Sequence, residues 1–109
     1  MHISYKATHF DMTPSVQEYF EKKVEGVAKL LEHLDSDGSA KMEVELSRTT
    51  SHHRKGDVFR AEAHLTIPKK TFYVSEERDD MYAAIDALKD TLHTSIERYK
   101  DFMVGSRKA

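Results

Sequence analysis

The chain has 109 residues, 39% of them hydrophobic and 33% charged, with 17 Lys and Arg against 19 Asp and Glu and no cysteine. That length and composition fit one globular domain; the absence of cysteine excludes disulfides and thiolate metal sites and permits a reducing cytoplasm. No apolar run approaches the ~18 residues of a membrane span, no signal peptide is expected, and a net charge of −2 argues against a generic nucleic-acid binder.

Residues 2–8 alternate, with Ile3, Tyr5 and Ala7 on one side, which predicts a first strand. Thr13-Pro14 reads as a helix start, Thr as the N-cap and Pro at the first helical position. Val16, Tyr19, Phe20, Val24, Val27, Leu30, Leu31 and Leu34 then recur at helical spacing. Gly26 interrupts that helix at a cost of ~1 kcal/mol relative to Ala, and Asp35-Ser36-Asp37-Gly38 reads as its stop. Met42, Val44 and Leu46 predict a second strand, and Arg48 to Asp57 a basic loop. Phe59, Ala61, Ala63, Leu65 and Ile67 alternate with polar residues in a third strand. Pro68-Lys69-Lys70 turns the chain into a fourth strand, Phe72 to Ser75.

Asp79 or Asp80 caps a long final helix. Its seam is Met81, Ile85, Leu88, Leu92, Ile96, Tyr99 and Met103. Gly105 is the expected C′ residue. The order is β-α-β-β-β-α in an α+β class. Two layers satisfy the pattern: a four-stranded mixed sheet with both helices on one face and a polar, wet opposite face. Residues 1–105 are expected as a single domain and 106–109 as a short basic tail.

Catalytic chemistry finds little support in these residues. His52-His53 are neighbours, which on a strand point to opposite faces and serve one ion poorly. No nucleophile elbow and no glycine-rich phosphate loop occurs. Asp35-x-Asp37-Gly38 lacks the other ligands of a calcium loop. No metal, cofactor or small-molecule substrate is expected, and the protein is not expected to be an enzyme. The absence of Asn and the single Gln17 argue against bidentate reading of adenine in DNA. Charge is unevenly placed: residues 51–78 hold 6 basic and 4 acidic groups, whereas residues 1–50 hold 6 and 9. The simplest account is dipole complementation and solvated loops.

One stretch adds a second kind of information. Asp80-Met81-Tyr82-Ala83-Ala84-Ile85-Asp86-Ala87-Leu88 resembles the run that opens the last helix in the ribosome hibernation promoting factor family, also called ribosome-associated inhibitor A. The layout before it is similar too, including the ending Lys23 to Asp35, and the resemblance covers residues 2–103. The length resembles the family's short form. The resemblance implies a fold like a double-stranded-RNA-binding domain with an extra first strand. It implies binding to the small ribosomal subunit and its 16S rRNA, in the channel of the mRNA and of the A- and P-site tRNAs. Translation would be inhibited in stress or stationary phase, by occlusion and not by catalysis, in the cytoplasm. Neither DNA nor a membrane would be a partner, and the chain is expected to be a monomer off the ribosome.

The basic positions carried over as rRNA contacts are Lys22, Lys23, Lys29, Arg48, Arg54, Lys55, Lys89, Arg98 and Lys100. Phosphate contacts of this kind anchor without reading sequence. The chain departs from the family's more basic pattern at Gln17, Gly26, Thr91 and Thr94. The alternative reading, motivated by the acidic balance, is a protein-interaction module of the same fold with weakened or lost rRNA binding. Protonation of the histidines would add positive charge at acidic pH, so binding is expected to be pH-sensitive.

Overall fold

The computed structural model describes residues 1–35, 37–50 and 56–108. The elements run β1 (His2–Thr8), α1 (Pro14–Leu30), β2 (Lys41–Thr50), β3 (Asp57–Ile67), β4 (Lys70–Arg78) and α2 (Met81–Lys108). The strands lie in the order β1-β2-β3-β4. β1 runs parallel to β2, and β2-β3-β4 form an antiparallel meander. A parallel first pair needs a crossover between its strands, and α1 supplies it.

Alternation decides which face is covered. Met42, Val44 and Leu46 of β2, Ala61, Ala63 and Leu65 of β3 and Phe72 and Val74 of β4 are buried beneath the helices. α1 contributes Val16, Phe20, Val24 and Val27, and α2 contributes Met81, Ala84, Ile85, Leu88, Leu92 and Ile96. Each buried Val, Leu, Ile, Met or Phe side chain stabilises the fold by about 1.5–3 kcal/mol. Tyr99 and Met103 continue the α2 seam but are only half-buried. The opposite sheet face is polar, with Glu43, Glu45, Glu62 and Glu77 beside Lys6, Lys41 and Arg60. No helix among the described residues is long and apolar enough to cross a membrane.

Both helix starts follow their capping residues. The Thr13 hydroxyl accepts the Val16 amide at 3.3 Å. Asp80 is the cap of α2, its carboxylate accepting the Tyr82 amide at 2.9 Å. The element ends depart from the sequence reading. β2 continues through Thr50 and β3 begins at Asp57, because Arg48 to Thr50 pair with Phe59 to Asp57; the loop expected from Arg48 therefore starts later, and residues 51–55 lie outside the described residues. β4 likewise starts at Lys70 and extends to Arg78.

α1 stops at Leu30, one turn before Leu34. The Leu31 amide is shared by the carbonyls of Val27 and Ala28, and Leu34 donates to Leu31 three residues back, the tightened geometry of a closing turn. Asp35 then anchors the chain: its carboxylate accepts the Ala40 amide at 2.7 Å and lies 3.2 Å from the Met1 amino group. At the other end Gly105 does not stop α2, which runs to Lys108. Gly105 is not among the left-handed glycines, so it stays helical at a cost of about 1 kcal/mol relative to Ala.

Candidate nucleic-acid interface

The helical layer is held by a clasp that uses the Asp80–Leu88 run. Asp86 accepts a hydrogen bond from the Tyr19 hydroxyl and lies 3.2 Å from Lys23 Nζ. Tyr82 packs edge-on against the Tyr19 ring at 5.1 Å between centroids, and Lys23 Nζ stands 5.0 Å from that ring. The hydrogen bond from Tyr19, with the Lys23 charge behind it, holds the Asp86 carboxyl below its usual range. The same carboxylate raises Tyr19 and Lys23. Lys23, expected as an rRNA contact, therefore serves first to tie α1 to α2. Thr91, a departure from the basic pattern, donates to Glu76 at 2.9 Å and ties α2 to β4.

The expected basic residues are spread over several surfaces. Lys22 and Lys29 are exposed and stand seven residues apart on one flank of α1. Lys89 lines the cleft between the helices with Lys23. Arg98 follows Lys89 by nine residues, about two and a half turns, so it points to the opposite flank, beside the β4 edge. Lys100, about three turns beyond Lys89, returns to the α1 flank. Arg48 lies on β2 opposite Phe59, eight residues along β3 from its far end, about 27 Å away. Arg54 and Lys55 lie outside the described residues.

Ion pairing divides these cations further. Lys22 lies 3.9 Å from Glu18, Arg48 3.9 Å from Asp57, and Lys89 3.5 Å from Asp90. These are surface pairs worth about 0–1 kcal/mol each, so a phosphate can replace the carboxylate at little cost. Among the described residues Lys29, Arg98 and Lys100 have no such carboxylate, and neither do Lys69 and Lys70 at the β3–β4 turn.

Lys69, Lys70 and Phe102, which are not among the expected residues, lie beside one of them, Arg98. Lys69 and Lys70 line one groove with Arg98 and Phe102. The turn pair was visible in the sequence as added charge. Phe102 was visible as a large apolar residue one position off the Tyr99–Met103 seam. Lys69 follows Pro68 at φ 69°, a left-handed conformation that costs a non-glycine residue about 1 kcal/mol. Among the described residues no group of three metal-ligating side chains forms and no polar side chain is buried.

Known proteins agree with this architecture. Residues 3–103 match the family described as Sigma 54 modulation protein / S30EA ribosomal protein. A ribosome hibernation promoting factor from Pseudomonas putida is 26% identical over 101 residues, 93% of this chain and 88% of that protein. The crystal structure of the N-terminal domain of Thermus thermophilus Protein Y superposes with a TM-score of 0.68 at 31% identity, over 91% of this chain and 99% of that one. A ribosomal subunit interface protein from Coxiella burnetii superposes with a TM-score of 0.71 at 22% identity, over 93% and 99%, a likeness of fold. The chain belongs to the S30EA ribosomal protein family, the family of the hibernation promoting factors.

Proposed function

We propose that this chain, as a member of that family, is a ribosome hibernation factor that binds the small ribosomal subunit in the channel of the mRNA and of the A- and P-site tRNAs. It inhibits translation there by occupying space, in stress or stationary phase, and catalyses nothing. The observation that carries this reading is the match over residues 3–103, which takes in α1, most of α2 and the Asp80–Leu88 clasp.

The geometry supports it in two ways. On the open sheet face Lys41 and Arg60 are already paired with Glu43 and Glu77, whereas Lys29, Arg98 and Lys100 on the helices have no carboxylate partner among the described residues, so the helical side is the face assigned to 16S rRNA. On that side Lys22 and Lys29 on α1 and Lys89, Arg98 and Lys100 on α2 present cations at full or partial exposure. Folded RNA is recognised largely by shape and backbone, which needs cations on a rigid frame and no amide readers.

The test is co-sedimentation with purified small subunits. Stoichiometric binding, displaced by initiator tRNA, is expected, together with inhibition of translation in a purified system. Absence of binding by the folded protein at low salt contradicts the proposal and favours the protein-interaction module.

A further inference from the structure

The groove between the β3–β4 turn and the second half of α2 has a composition unlike the rest of the surface. It is an open depression of about 680 Å³, lined by Lys69, Lys70, Arg98, Tyr99 and Phe102 with no carboxylate among its lining residues. Phe102 is 66% exposed, an unusual position for a phenyl ring. Lys70 Nζ stands 5.6 Å from the Phe72 ring and 5.9 Å from the Tyr99 ring, so aromatic faces already hold a cation there. Arg98 and Phe102 are four residues apart and share one face of α2. The strained backbone of Lys69 holds a lysine at the groove's edge where glycine would sit without strain.

Uncompensated cations beside an exposed ring fit a polyanion with flat apolar groups. We propose that this groove, which shares Arg98 with the cations assigned to rRNA, is a contact for a short single-stranded RNA segment, in which a base stacks on Phe102 while flanking phosphates meet Lys69, Lys70 and Arg98. An acidic peptide would satisfy the charges but leave the ring without a flat partner. The choice of RNA over DNA rests on the proposed function; the groove chemistry does not. Stacking on aromatic rings is sequence-tolerant, so the contact holds a strand without selecting it.

The test is a fluorescence anisotropy titration of the full chain with a labelled eight-nucleotide adenosine RNA at low salt, beside the subunit co-sedimentation. Saturable binding is expected. Phe102→Ala and Arg98→Gln each weaken it about tenfold, the scale of one lost stacking or charge contact, whereas Phe102→Tyr retains it. Lys6→Gln, the same charge change on the open sheet face, leaves it unchanged. No saturable binding by the folded chain, equal binding by the Phe102→Ala variant, or equal displacement by polyglutamate overturns the proposal. Loss of the groove contact with subunit binding intact overturns this inference alone; loss of subunit binding with the groove contact intact overturns the hibernation reading alone.

Discussion

The two halves of α2 are built for different tasks. From Met81 to Ile96 the helix faces the sheet with a buried seam, and Asp86 and Thr91 are hydrogen-bonded to α1 and β4. From Glu97 onward the seam thins to the half-buried Tyr99 and Met103, and Phe102 and Val104 stand exposed at 66% and 50%. The first half spends its side chains on the fold. The second leaves them available, with Arg98 and Lys100 lacking carboxylate partners among the described residues. The family's most recognisable run therefore lies in the scaffold, while Arg98 and Lys100 lie in a stretch with a weaker signature.

Substitutions in the two halves should separate stability from binding. The largest effect is expected at the buried seam: Leu88→Ala or Ile96→Ala should lower unfolding free energy by about 2–5 kcal/mol in urea denaturation. Asp35→Ala, which removes the nearly buried partner of the Met1 amino group and the Ala40 amide, should cost about 3 kcal/mol. In the exposed half, Arg98→Gln and Phe102→Ala should leave the urea midpoint within about 0.5 kcal/mol of the parent while weakening RNA binding. A large loss of stability in either variant would break the division.

Two smaller effects sharpen it. Asp86 titrates below its usual range in the folded state, so its contribution is present above the unfolded-state pKa and is lost as pH falls through the folded one. Tyr19→Phe should therefore lower stability at neutral pH and by less in strong acid; an equal loss at both would show that the clasp acts only by packing. Gly26→Ala should raise stability by about 0.5–1 kcal/mol, since the position is helical and a Cβ meets nothing within 4 Å.

Sequence patterns carried the architecture because each element expresses its burial locally. Alternation in β3, the 4-3-4 steps of the α2 seam and the Thr13-Pro14 start each depend on neighbouring residues alone. Element ends were less legible. Arg48 to Thr50 read as loop because they are polar, yet they pair with Phe59, Val58 and Asp57 of β3. Gly105 read as a stop, but a glycine stops a helix only when it turns left-handed, and this one does not.

The site was legible as a list of charges and not as a surface. Lys23 looked as available as Lys22, because its partner Asp86 comes from the other helix. Lys89 and Arg98 belong to one list of expected contacts, yet nine residues of helix put them on opposite flanks of α2. Phe102 carried a usable signal, an apolar residue off an otherwise strict seam.

The account turns on whether the exposed half of α2 meets phosphate. The most direct measurement is the salt dependence of small-subunit binding for the parent chain and for an Arg98→Gln/Lys100→Gln variant. Each lost phosphate contact should flatten the slope of log K against log salt by about 0.7 to 1. A parent slope that falls steeply, with a variant slope shallower by about 1.5 to 2 at unchanged stability, is the predicted result. Identical slopes for the two proteins would contradict it and place the contact elsewhere on the molecule.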